Sequence, residues 1–145
     1  MKNYFKISDF IVDPKMRVEH SCVPLHVVDK LVKYHLPILN RIRDKLGFPI
    51  LISANSGYRT YEWEIVHGRS GYSEHTFKGY GAVDLTCEKA HIPALREELL
   101  NSEYSRLAWY EHKRFFHCDF KDAELGKRFF EVWENGVWRE LKDLR

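Results

Sequence analysis

Cysteine is scarce in this chain, and long apolar runs are missing. The 145 residues include three cysteines, Cys22, Cys87 and Cys118, and no CxxC pair. An odd count without such a pair argues against a disulfide framework and against a thiolate zinc site. Because no stretch of 18 apolar residues occurs, we expect no transmembrane helix. The chain is therefore expected to fold without disulfides and without spanning a membrane.

The chain also lacks a large excess of either positive or negative charge. The net charge is only +2, and the basic residues are interspersed with acidic ones instead of forming a stripe. This pattern does not favour a nucleic-acid partner. Hydrophobic residues make up 44% and charged residues 30%, which is typical of a folded protein. With no repeat or low-complexity tract, residues 1–145 are predicted to form a single domain, which we expect to be monomeric.

Hydrophobic spacing predicts helices in the first half of the chain and strands in the second. Residues 24–46 have apolar side chains at helical spacing, with a kink or a junction of two helices expected at Pro37. A second helix is predicted at residues 93–101. The predicted strands are residues 49–53, 80–85, 106–110, 114–120, 128–133 and 137–140, the last two joined by a turn at Asn135 and Gly136. Helices first and strands later indicate an α+β fold, a small antiparallel sheet flanked by N-terminal helices.

A long segment rich in Gly, Ser and Tyr separates the first predicted strand from the next. It covers residues 54–79, with a short helix expected near residues 60–66. A loop of this length inside a small domain is usually functional. Functional side chains are therefore expected in this segment and on the strands beside it.

A histidine and an aspartate lie close together around the end of this segment. Ser73-Glu-His75 is in the loop, and Gly81-Ala-Val-Asp84 forms the following strand. A catalytic zinc takes three protein ligands from His, Asp or Glu and keeps one position open. His75 and Asp84 can converge on one ion, although a loop histidine and a strand-end carboxylate also occur without any metal.

The strand at residues 114–120 carries a second candidate pair. Because strand side chains alternate between faces, His117 and Asp119 share one face. The apolar residues Phe116, Cys118 and Phe120 share the other. A surface strand alternates in the same way, so the pattern only indicates a site when combined with other residues.

Arg59 follows the first predicted strand in the segment Ser56-Gly-Tyr-Arg59. A guanidinium can bind a carboxylate through two parallel hydrogen bonds or stabilise an oxyanion. An ordinary structural salt bridge is the alternative. The remaining histidines are expected to have packing or surface roles: His20, His26, His35, His67 and His91.

Taken in order along the chain, these segments resemble the zinc D-alanyl-D-alanine carboxypeptidase family. That family includes D,D-dipeptidases of vancomycin resistance and L-alanyl-D-glutamate endolysins of phages. The motifs that carry the resemblance are the SGYR of residues 56–59, the SEH of residues 73–75, the GAVD of residues 81–84, and His117. Residues 39–49 are also similar to the helix and first strand of the phage-type members.

The resemblance implies a role for each matching residue. His75, Asp84 and His117 would ligate zinc, Arg59 would bind a substrate carboxylate or the oxyanion, and Ser73 would hydrogen-bond the substrate. The implied activity is hydrolysis of a peptide bond in peptidoglycan, of the carboxypeptidase or endolysin type. The opening residues show no signal peptide. A wall-degrading enzyme of this kind would be made in the cytoplasm and reach the wall after release or export by another factor.

The chain departs from the family pattern at two places. Eight residues, 76–83, separate the first histidine from the aspartate, where the family usually has six, and the extra length is expected at residues 78–80. The dipeptidases have a glutamate base three residues before the last histidine, and this chain has Arg114 there. The second departure also fits an alternative function, a catalytically silent cell-wall binding or morphogenesis protein on the same scaffold.

Four residues are therefore candidates for the general base. Asp119 is our first candidate, because it points to the same face as His117, about 6 to 7 Å along the strand. Its alternative role is to accept a hydrogen bond from a ligand imidazole and fix the tautomer. Glu111 and His112, in the predicted hairpin turn, and Glu74, beside His75, are the other candidates.

Overall fold

The computed structural model describes residues 2–53 and 55–142. Within that range the α-helices are Pro14–Val18 (α1), Leu25–Lys30 (α2), Leu36–Leu46 (α3), Tyr61–Val66 (α4) and Ile92–Leu100 (α5). Short 3₁₀ turns lie at Ile7–Phe10, His20–Cys22, Glu74–Thr76, Lys89–His91 and Ala123–Leu125. None of the helices in the described part of the chain is long and apolar enough to cross a bilayer.

The long helix predicted for residues 24–46 is interrupted near Pro37. A π-helical segment, Leu31–His35, joins α2 to α3. Pro37 has no N–H and its ring crowds the preceding turn, so the α-helical hydrogen-bond pattern cannot pass through it unchanged. A wider π turn just before the proline accommodates this break. At the other end α3 stops at Gly47, whose φ of 74° is left-handed and whose N–H bonds to the Arg43 carbonyl at 3.1 Å.

The strands form one sheet, and this confirms the α+β prediction. They are Leu51–Ile52 (β1), Ala82–Thr86 (β2), Arg106–Tyr110 (β3), Phe115–Asp119 (β4), Arg128–Val132 (β5) and Trp138–Leu141 (β6). Their order across the sheet is β1-β2-β4-β3-β5-β6. Neighbouring strands are antiparallel except for β3 and β5, which run parallel.

The parallel pair follows from the path of the chain after β4. β4 ends at Asp119, which pairs with Arg106 at the start of β3. The connection of residues 120–127 then crosses to the far side of β3 at the same end of the sheet. β5 therefore begins beside Arg106, with Arg106 and Arg128 as partners, and runs in the direction of β3.

Alternation along the central strands separates a core face from a polar face. The core side chains of β2, β3 and β4 belong to one buried apolar cluster with residues of the helices: Val83, Leu85, Leu107, Phe116 and Cys118 with Val27, Leu31, Leu39, Ile42, Leu95 and Leu99. Burial of such side chains is the main stabilising contribution to a fold of this size. The opposite face of the same strands carries the polar residues, so the sheet itself positions the candidate site.

Candidate metal centre

Strand register brings Asp84 and His117 together. In the β2–β4 pair Asp84 lies directly opposite His117, and in the β3–β4 pair His117 lies opposite Ala108. Residues directly opposite in an antiparallel pair share a face and have neighbouring side chains. The small side chain of Ala108 leaves space beside His117. His75 reaches the same place from the 3₁₀ turn Glu74–Thr76.

The three candidate ligand atoms form a nearly equilateral triangle. His75 Nε2 is 3.2 Å from His117 Nδ1 and 3.3 Å from Asp84 Oδ1, and His117 Nδ1 is 3.0 Å from Asp84 Oδ1. Tetrahedral zinc with bonds of about 2.0–2.1 Å separates its ligand atoms by about 3.3 Å. The triangle therefore matches one face of a zinc tetrahedron, which leaves a fourth position.

Hydrogen bonds orient both imidazoles. His75 Nδ1 lies 2.8 Å from the Gly57 carbonyl, to which it donates, and this leaves the Nε2 lone pair for a metal. His117 Nε2 lies 2.6 Å from Asp119 Oδ2, which leaves Nδ1 as the ligand atom. A ligating histidine typically donates its other N–H to a carbonyl or carboxylate in this way. Both rings are therefore preset for metal binding.

Asp119 lies on the far side of the His117 ring from the other two ligand residues. Its carboxylate is fully buried, forms a bidentate ion pair with Arg106, and accepts the Lys121 N–H at 2.9 Å. Arg106 is its direct partner across the β3–β4 register, which explains the contact. His117 and Asp119 share a face as alternation predicts, but Asp119 faces Nε2 and not the candidate ligand atom Nδ1.

The carboxylates keep the centre charged despite its burial. Burial opposes ionisation of Asp84, but His75 and His117 outweigh it and hold the pKa of Asp84 well below its usual range. Burial also opposes a proton on His117, yet its hydrogen bonds to Asp119 and Asp84 raise its pKa to about 9. Because a ligating imidazole must present a free lone pair, metal binding at neutral pH would release this proton.

The SGYR segment builds the site through its backbone as well as through Arg59. Ser56 Oγ accepts a hydrogen bond from the Asp84 N–H at 2.5 Å, and the Gly57 carbonyl accepts one from His75 Nδ1–H. Gly57 has a φ of 78°, and a Cβ on it would lie 2.1 Å from the Phe10 carbonyl oxygen, so no side chain fits. The segment thus supports two of the three candidate ligands.

The loop between the two ligand segments absorbs its extra residues at the surface. Lys78, Gly79 and Tyr80 are exposed bends, as expected for the additional length. Lys30 Nζ holds the loop by donating to the Phe77 carbonyl at 2.8 Å. His75 and Asp84 still approach to 3.3 Å, so the longer loop does not separate them.

A cleft of about 290 Å³ opens onto the three ligand residues. Arg59, Ser73, Glu74 and His112 line it as well. Glu111 is turned away from it, because its carboxylate accepts the Trp109 indole N–H at 2.6 Å. A larger groove of about 710 Å³, between the N-terminal segment and β1, contains none of the candidate ligands.

Arg59 is buried beside the ligands, and no carboxylate among residues 2–53 and 55–142 lies within hydrogen-bond distance of it. Its Nε donates to the Asn55 carbonyl at 2.8 Å. Its terminal nitrogens lie 3.7 Å from Asp84 Oδ2 and 3.6 Å from Glu64 Oε2, beyond hydrogen-bond distance. The Ser73 hydroxyl donates to Glu64 Oε1.

Sequence reasoning assigned no supporting role to four residues that hold the site together: Ser56 and Gly57 of the SGYR motif, Glu64 and Arg106. Arg106 had a local signal, because it starts a strand predicted to pair with the strand of Asp119. The supporting bonds of Ser56 and Gly57 depend on contacts 18 to 28 residues along the chain, which no local pattern indicates.

Comparison with known proteins yields one family. The model of the family described as Peptidase M15 matches residues 3–119. No curated protein and no solved structure matches the chain. The matched range includes Arg59, His75, Asp84 and His117 and ends at Asp119, while β5 and β6 follow it.

Proposed function

We propose that this chain, which belongs to the peptidase M15 family, is a zinc-dependent peptidase that hydrolyses a peptide bond in peptidoglycan stem peptides or cross-links. His75, Asp84 and His117 are its proposed zinc ligands. The observation that carries the proposal is the triangle of ligand atoms, 3.0 to 3.3 Å apart, with both imidazoles oriented by hydrogen bonds. A donor set of two imidazoles and one carboxylate is typical of catalytic zinc.

Zinc held by His75, Asp84 and His117 would supply a Lewis acid for the scissile carbonyl and would lower the pKa of a bound water towards 7. The protein contributes the fixed positions of the ligands and a positively charged neighbour, Arg59. Since no carboxylate in the described part of the chain hydrogen-bonds to the terminal nitrogens of Arg59, they are available for a substrate carboxylate or for the oxyanion. This supports the role that the family resemblance assigns to Arg59.

We assign Asp119 to orienting His117, and we place the general base among the residues that line the cleft. Both Asp119 oxygens are engaged, by Arg106, by the Lys121 N–H and by His117 Nε2. Glu111 is engaged by Trp109. Glu74 and His112 both line the cleft, and no hydrogen bond to the His112 side chain occurs among the residues described. Because imidazole is the side chain most often used for proton transfer, we propose His112 as the base.

The test is digestion of purified peptidoglycan by the zinc-loaded protein. We expect new amino groups to appear, to be abolished by a chelator and to return when zinc is added back. Mass spectrometry of the released fragments would identify the bond that is cut. Stoichiometric zinc together with unchanged peptidoglycan would contradict the enzymatic proposal and favour a silent cell-wall binding protein on the same scaffold.

A further inference from the structure

We propose that Glu64 holds Arg59 and Arg69 together as a two-arginine subsite for a carboxylate of the peptide substrate. The inference rests on the proposed function, because it names a feature of the substrate that the same cleft accepts. It adds Arg69 as a specificity-determining residue and Glu64 as a positioning residue.

Glu64 is a buried carboxylate, and only one of its two oxygens accepts a hydrogen bond from the described residues. Its side chain is fully buried, and Oε1 accepts a hydrogen bond from the Ser73 hydroxyl. Oε2 has no hydrogen-bond partner in the described part of the chain. Instead, Arg59 Nη1 lies 3.6 Å from Oε2 and Arg69 Nε lies 3.8 Å from it. One oxygen therefore attracts two guanidinium groups without binding either closely.

The two arginines are brought to this oxygen from different directions. Arg59 is held by its Nε bond to the Asn55 carbonyl. Arg69 follows α4, and its backbone N–H bonds to the Glu64 carbonyl at 2.8 Å. Both guanidinium groups also lie over the Trp63 ring, at 5.1 Å for Arg59 and 5.7 Å for Arg69. Two shared contacts, one ionic and one aromatic, thus bring both guanidinium groups to the same part of the cleft.

The charges at this end of the cleft do not balance. Two guanidinium groups face the single carboxylate of Glu64. Asp84 is the other carboxylate near Arg59, and its charge would be shared with a metal dication. Arg106, which also lines the cleft, is already paired with Asp119. The acidic residues that line the cleft, Glu74 and Asp84, are outnumbered by the basic ones, which also include Lys113 and Lys121. The excess positive charge beside the metal ligands favours an anionic group of the substrate.

The chemistry of the two side chains identifies that group as a carboxylate. A guanidinium presents a planar fork of N–H donors that matches a carboxylate with two hydrogen bonds. Arg59 is buried and Arg69 is about half exposed, and both line the cleft. A carboxylate that enters from solvent therefore meets Arg69 first and can be shared with Arg59. It can belong to the C-terminus of the peptide or to an acidic side chain.

Calorimetric binding to matched peptide pairs tests the subsite without requiring turnover. The first pair is acetyl-D-alanyl-D-alanine and its C-terminal amide. The second is the α-amides of acetyl-L-alanyl-D-glutamate and acetyl-L-alanyl-D-glutamine, which differ only in the side-chain carboxylate. The zinc-loaded wild-type protein is expected to prefer the carboxylate member of one pair, and that pair identifies the source of the carboxylate.

Substitution of Arg69 should remove that preference. We expect Arg69→Gln to reduce it about tenfold or more, because the substitution removes hydrogen bonds between two charged groups, and Arg69→Lys to reduce it less. Glu64→Gln should act in the same direction, since it releases both guanidinium groups. Arg41→Gln is the matched control, because Arg41 has a similar exposure, pairs with Glu103 and does not line the cleft.

Zinc content and circular dichroism are measured for every variant, and Arg69→Gln decides the matter if Glu64→Gln does not fold. An unchanged preference in Arg69→Gln would overturn the subsite. So would a wild-type protein that shows no preference in either pair, including one that binds neither peptide. A preference that depends on Arg69 in a protein that does not cut peptidoglycan would retain the subsite and contradict the proposed function. Cleavage of peptidoglycan without such a preference would support the proposed function and overturn the subsite.

Discussion

The two ends of the cleft differ in how closely their polar groups are held. At the ligand end, His75, Asp84, His117 and Asp119 contact one another or the backbone at 2.6 to 3.3 Å. At the arginine end, the ion pairs of Glu64 with Arg59 and Arg69 are 3.6 and 3.8 Å long. At the ligand end these side chains already contact one another closely without a bound peptide. At the arginine end, the guanidinium N–H groups do not reach Glu64 within hydrogen-bond distance and can bind a peptide.

The difference has a structural origin. Asp84, His117 and Asp119 lie on paired strands, whose register fixes side chains opposite one another. Arg59 and Arg69 come from the loop segments that flank α4, where a few hydrogen bonds to backbone carbonyls position them: those of Asn55 and His75 for Arg59, and that of Glu64 for Arg69. A metal requires ligands placed within a few tenths of an ångström. Paired strands provide this for Asp84 and His117, and the bond from His75 Nδ1 to the Gly57 carbonyl provides it for the turn residue His75. A peptide requires groups that adjust as it enters, which loops provide.

Removing a ligand at the ligand end should have the largest effect. We expect His117→Ala to lose stoichiometric zinc, with an affinity loss beyond the roughly 10- to 100-fold typical of losing an outer hydrogen-bonding partner, and to lose activity. Metal analysis after mild dialysis measures the zinc. His26→Ala, which alters an exposed histidine, is the control. Full retention of zinc by His117→Ala would show that the ligand set is wrong.

A substitution at the arginine end should separate substrate contacts from metal binding. We expect Arg59→Lys to keep its zinc and to lower kcat/KM by on the order of 10², because lysine retains the charge but not the two-pronged donor geometry. Initial rates of peptidoglycan digestion measure this, with Arg41→Lys as the control. An unchanged kcat/KM would reduce Arg59 to a structural role and remove the functional contrast between the two ends.

Substitution of Asp119, which bonds to His117 Nε2, should have the smallest effect of the three. We expect Asp119→Asn to weaken zinc by about 10- to 100-fold, with excess zinc restoring part of the activity, because the carboxylate orients the His117 ring. Zinc titration and rates at saturating zinc measure both effects, and Asp122→Asn is an exposed control. If zinc binding is normal and kcat falls on the order of 10², Asp119 is the base after all and His112 is not.

The same contrast explains what could be predicted from the sequence. Helical spacing and alternation predicted most elements, because each depends on residues a few positions apart. The candidate ligands followed from the family motifs. The parallel pairing of β3 with β5 depends on where residues 120–127 cross the sheet, which no local pattern indicates. Alternation placed Asp119 on the face of His117 but does not say which ring nitrogen it meets. The burial of Glu64 depends on Arg59, Arg69 and Ser73 meeting in space.

The hairpin of β5 and β6 lies beyond the family-matched range and protects a vulnerable part of the molecule. Without β5, strand β3 would be an open sheet edge, and its unpaired backbone groups would be a template for pairing with other chains. Trp138 on β6 also lines the cleft and contacts Tyr110 edge-on at 5.8 Å. One hairpin therefore covers β3, moves the sheet edge in the described part of the chain to β6, and forms a cleft wall. Substitutions in it can reshape the peptide path while the strands that carry Asp84 and His117 stay in place.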